Sequence, residues 1–78
     1  SQNELDIATA VAGSGPAFLA YFANAIMQGG INAGLKENDS KILTTALFDG
    51  FVPLLENDEP NDIIKKVMSP NGTTEAGY

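Results

Sequence analysis

The residues best placed to do chemistry lie in Ser69-Pro70-Asn71-Gly72-Thr73-Thr74, where three hydroxyls, one amide and a glycine share a single turn. Thr73 or Thr74 reads as a helix N-cap, with Glu75 in the turn that follows. Free amides and the positive end of the helix dipole favour a carboxylate or phosphate there. Gly72 would let such a ligand approach the backbone, and the threonine hydroxyls would donate to it. A plain cap after a turn has the same composition, so both readings stand on the residues alone. Gly13-Ser14-Gly15-Pro16 is a second candidate junction: a stop, then a start, with Ser14 as the cap and Pro16 in the first helical turn.

Other chemistry is excluded by what the chain lacks. It has no cysteine and no histidine, which removes disulfides, thiolate nucleophiles, Cys/His zinc sites and a Ser-His-Asp triad. Glu56, Asp58, Glu59 and Asp62 form an acidic cluster. However, Pro60 occupies a position where a calcium loop needs a ligand, and no turn glycine follows. A solvated turn between helices accounts for the cluster, and no metal site is expected. Gly13-x-Gly15 has Phe18 where a dinucleotide fingerprint needs its third glycine, and the P-loop of nucleoside triphosphatases is absent too.

The elements around these residues are helical. Ser1 to Ala12 reads as a lead-in segment of no clear period, with Leu5, Ile7 and Val11 available to tuck under a helix. From Ala17, the spacing of Phe18, Leu19, Tyr21, Phe22, Ala25 and Ile26 predicts a first helix to about Ala33, closed by Gly34. Ala17, Ala25, Gly29 and Ala33 give it a narrow small-residue face, which suits a frayed end or the close approach of another helix. A second helix is predicted after the caps Asn38-Asp39-Ser40. Ile42, Leu43, Ala46, Leu47, Gly50, Phe51, Leu54 and Leu55 repeat at three and four, with a kink at Pro53 and an end near Glu56 or Asn57. A short third helix begins at Pro60, with Asn61 and Asp62 at its positive end and Lys65 and Lys66 at its negative end. A fourth starts near Thr73 and has almost no chain left to propagate in.

The fold class expected is therefore all-α: three main helices plus the start of a truncated fourth. Apolar residues make up 44% of the 78, which favours a folded domain over disorder. A chain this short buries only about 60% of its unfolded surface, so a partner subunit is the remaining source of stability. The net charge of −6, with four lysines and no arginine, argues against nucleic acid and anionic membrane as partners. The longest mostly apolar stretch, Pro16 to Met27, is too short to span a bilayer. No secretory leader is apparent at Ser1, and a cytoplasmic location is the default expectation.

Two motifs point to a family. Ala12-Gly13-Ser14-Gly15-Pro16-Ala17-Phe18 resembles the Ser-Gly-Ser-Gly-Pro-Ala-aromatic motif of pyrroline-5-carboxylate reductases. Ser69-Pro70-Asn71-Gly72-Thr73-Thr74-Glu75-Ala76-Gly77 resembles their Ser-Pro-Gly-Gly-Thr-Thr signature. Gly30, Gly34-Leu35 and Leu54-Leu55 keep the family's order between them, so the likeness runs from about Asp6 to Tyr78. The sequence departs from the pattern at Ala12, Met68, Asn71 and Tyr78, and Pro53 is unexpected in the second helix.

The resemblance implies that residues 1–78 are one C-terminal helical dimerisation and substrate-binding domain. On that view the chain is a fragment without the N-terminal dinucleotide-binding domain, and it interlocks with a second copy as a homodimer, with assembly beyond the dimer open. It implies an oxidoreductase of proline biosynthesis that reduces 1-pyrroline-5-carboxylate to L-proline with NADPH or NADH, the cofactor being held mainly by the other domain. Ser69, Asn71, Gly72, Thr73 and Thr74 would bind the substrate, with Thr74 catalytic near the ring nitrogen. Gly15 and Pro16 would line the site beside the nicotinamide. The fragment alone is not expected to catalyse. Two other readings are a ligand-free acidic helical dimerisation module and the helical domain of a related dehydrogenase for another small carboxylate.

Overall fold

The computed structural model describes residues 1–69, and in them the chain is all-helical: α1 (Gln2–Asn32), α2 (Glu37–Asn57) and α3 (Pro60–Val67). The start of the expected fourth helix lies outside the described residues. The chain divides into two compact units, Ser1–Thr44 and Thr45–Tyr78.

In the first unit the lead-in segment is not a lead-in. Ser1 caps α1 by accepting from the Glu4 amide, while the Glu4 side chain reaches back to the Ser1 backbone. This reciprocal cap starts a helix of 31 residues. Alanine at positions 8, 10, 12, 17 and 20 favours helix, and each added residue gains a bond once nucleation is complete. The stop and start expected at Gly13-Ser14-Gly15-Pro16 is therefore corrected: all four residues lie inside α1. Ser14 does not cap. Its Oγ donates to the Ala10 carbonyl at 2.7 Å, as Thr9 Oγ1 does to Leu5 at 2.8 Å. Leu5, Ile7 and Val11 are exposed rather than tucked under a helix.

The end of α1 is as the sequence predicts. Ala33 is the C-cap, and Gly34 takes φ +122, a backbone region that L side chains rarely enter. The Gly34 amide donates to Ile31 and the Leu35 amide to Gly30, which satisfies the carbonyls left over at the helix end. The second helix begins earlier than expected, at Glu37, so Asn38, Asp39 and Ser40 form its first turn and not its lead. By length and composition α1 could cross a membrane, with a mean hydropathy of 1.3 over its best 18-residue window, none of it buried. That corrects the Pro16 to Met27 run as the measure of its apolar length, because the helix continues through Pro16.

In the second unit α2 runs through Pro53 to Asn57, whose Nδ2 donates to the Pro53 carbonyl at 2.7 Å. Helix α3 starts at Pro60 as expected, with Asp62 in its first turn and Lys65 and Lys66 in its last. Lys66 Nζ reaches Asp58 Oδ2 at 2.9 Å. Among the described residues Ile63 is the one buried apolar side chain, 8% exposed.

Candidate functional site

Of the expected site residues, the structure describes Gly15, Pro16 and Ser69; Asn71, Gly72, Thr73 and Thr74 lie outside the described residues. Gly15 is half-buried and Pro16 exposed, both midway along α1. Because they are helical, the amides of Gly13 and Gly15 belong to the helical ladder and are not free to hold an anion. The anion reading of the Gly13 to Pro16 junction is thereby corrected. Nor do the described residues form a phosphate-cradling glycine turn, so a dinucleotide's phosphates do not fit on them. Ser69 is half-buried at the bend that follows α3. No group of three acidic side chains among the described residues is placed to hold a metal ion, and Asp58 of the acidic cluster is paired with Lys66.

The helical glycines fall into two kinds. A Cβ added at Gly30 would sit 2.6 Å from Ser40 Oγ, so a contact inside the chain requires that glycine. A Cβ added at Gly13, Gly15, Gly29 or Gly50 meets nothing within 4 Å. Each of these costs a helix about 1 kcal/mol relative to alanine, and nothing in the described chain makes use of it. The large apolar residues show the same pattern. Phe18, Leu19, Tyr21, Phe22 and Ile26 along α1 are all exposed, as are Leu47, Phe51, Leu54 and Leu55 along α2. Water-facing aromatic and aliphatic rows of this length mark an interaction surface. A shallow hollow on α1, lined by Ala17, Ala20, Tyr21 and Asn24, lies on the same helix.

Sequence reasoning missed Ser40. It reads as one of three interchangeable caps, and the hydroxyl's actual partner, the Met27 carbonyl, is 13 residues away. No local signal distinguishes that role from a cap.

Fold and surface together define an all-α domain whose apolar helix faces are left uncovered by its own described residues. The chain belongs to the family described as pyrroline-5-carboxylate reductase dimerisation, whose model matches residues 2–78. It is 36% identical over 77 residues to a pyrroline-5-carboxylate reductase of Helicobacter pylori strain J99, covering 99% of this chain and 30% of that protein. It is 40% identical to the reductase of Synechocystis, over 97% of this chain and 29% of the relative. With pyrroline-5-carboxylate reductase 1 of Bacillus subtilis strain 168 it shares 40% identity, over 97% of this chain and 26% of the relative. The chain thus spans less than a third of the length of the curated relatives it matches. No solved structure matches it.

Proposed function

We propose that this chain is the dimerising and substrate-binding part of an enzyme that reduces 1-pyrroline-5-carboxylate to L-proline. The observation that carries this reading is the family match across residues 2–78. In the homodimer, the exposed rows of α1 and α2 meet the second copy. The open glycines of α1 then have a purpose, since they let another backbone come close. Apolar helix surface able to face lipid is here covered by protein.

The remaining assignments extend the reading to the whole enzyme. Ser69, Asn71, Gly72, Thr73 and Thr74 hold the substrate carboxylate by amides and hydroxyls, as their match to the family signature suggests. The reaction needs a hydride at the imine carbon and a proton at the ring nitrogen, and delivery of that proton is the role assigned to Thr74. The nicotinamide cofactor, NADPH or NADH, supplies the hydride when bound. Its phosphates are held outside the described residues, while Gly15 and Pro16 offer a surface of little side-chain bulk beside the ring. The work is cytoplasmic, and this chain alone is not catalytic.

Sedimentation equilibrium of the chain over a wide concentration range tests the assembly reading. A dimer that dissociates on dilution is expected. A monomer at every concentration would refute assembly through these helices alone.

A further inference from the structure

We infer that the hydroxyl of Ser40 is the positioning group that sets the corner between α1 and α2 before assembly, so that the first unit is already shaped for its partner. Ser40 and Thr44 are the buried polar residues of the described chain, 2% and 4% exposed, while no large apolar residue of the first unit is buried. The corner is thus held by a polar contact rather than by a fully buried apolar core. Ser40 Oγ donates to the Met27 carbonyl at 2.7 Å, reaching from the first turn of α2 back to α1. Thr44 Oγ1 donates to the Ser40 carbonyl at 2.8 Å, a bond within α2 that leaves the Ser40 hydroxyl as the polar link to α1. Gly30 makes room for the hydroxyl, and Leu35 Cδ1 closes the other side, 3.1 Å from where a Gly30 Cβ would be. Gly34, at φ +122, reverses the chain between the two helices.

A corner set in the free chain spares the ordering entropy that assembly would otherwise cost. Meanwhile the apolar rows, unused by the corner, remain outward. This inference rests on the proposed dimer and adds which residues shape the chain for it.

The test is a double-mutant cycle on Gly30→Ala and Ser40→Ala, read by sedimentation equilibrium. Ser40→Ala removes one part-buried hydrogen bond from each copy, two per dimer, and should raise the dimer Kd about five- to 150-fold. Gly30→Ala would normally strengthen a helix. Here its Cβ collides with Ser40 Oγ, so it too should raise the Kd. The double variant removes both the collision and the hydroxyl, and should be no weaker than the worse single one. Ser40→Cys, close in shape but a weak donor, should fall between wild type and Ser40→Ala, and it carries the test if Gly30→Ala does not fold.

If wild type dimerises and all variants match it, the corner inference is overturned while the dimer reading stands. Additive losses in the double variant overturn the Gly30–Ser40 contact. A wild type that never dimerises overturns the reading beneath both.

Discussion

Replacing Phe22 by alanine separates an assembly surface from a core. Phe22 is 67% exposed, so most of its ring makes no contact within the chain. A phenylalanine side chain buries about 200 Å² when fully covered, which leaves about 130 Å² for a partner to cover. At about 25 cal/mol per Å² that surface contributes about 3 kcal/mol per copy on association. A symmetric dimer loses it twice, about 6 kcal/mol, which raises the Kd by about four orders of magnitude. The free chain loses only the covered third, about 1.5 kcal/mol, and regains part of it because alanine favours helix.

Phe22→Ala should therefore be a well-formed helical monomer at concentrations where the parent chain is dimeric. Sedimentation equilibrium reads the association, and far-UV circular dichroism below the parent's dissociation constant reads the fold. Two results would refute the reasoning. One is a dimer within about threefold of the parent's Kd, placing Phe22 outside the interface. The other is a monomer that loses its helix, showing that the ring stabilises the chain itself.

Gly29→Leu should act with opposite signs on the two states. It removes a helix-weakening glycine where nothing lies within 4 Å, so the dilute chain melts higher, yet it fills the small-residue face and weakens dimerisation. Unchanged association would take that face out of the interface. Association should depend little on salt, because apolar burial drives it. Any change should be a slight tightening as salt screens two copies of charge −6, and weakening with added salt in sedimentation runs would point to charge pairing instead. Asp58→Asn should cost no more than about 1 kcal/mol in urea unfolding, since its partner Lys66 is largely exposed. In a full-length enzyme, Thr74→Ala should lower kcat by about 100-fold or more in a steady-state assay, while wild-type turnover would reject proton delivery by Thr74.

How much of this was legible beforehand depends on how far each signal reaches along the chain. Helix α3 follows from adjacent residues: Pro60 at its start, Asp62 in its first turn, Lys65 and Lys66 in its last. Gly34 closes α1 where the pattern predicts, because the positive φ is a local demand. Pro53 did not end α2 early, and the expected end near Asn57 holds. Gly13-Ser14-Gly15-Pro16 misled because its residues are individually poor in a helix interior. The local penalty was outweighed by the rest of a 31-residue helix, which runs on although Pro16 has no N–H to donate to the Ala12 carbonyl, with the Ser14 hydroxyl bonding back to Ala10. The same misreading produced a spurious anion junction there.

From the sequence alone came the helical class, the family and the ends of helices whose signals span one turn. Cap, dipole and glycine rules act between neighbours, and the two motifs are themselves runs of adjacent residues. What only the tertiary structure decided is which side chains the fold keeps for itself and which it leaves outward. Ser40 serves α1 rather than the start of α2, and Gly30 exists to admit it, because their contact joins positions that a string of residues does not bring together. The aromatic row of α1 has the periodicity of a core helix. Periodicity records that a face is apolar and not what covers it, so only the folded chain shows that face still exposed.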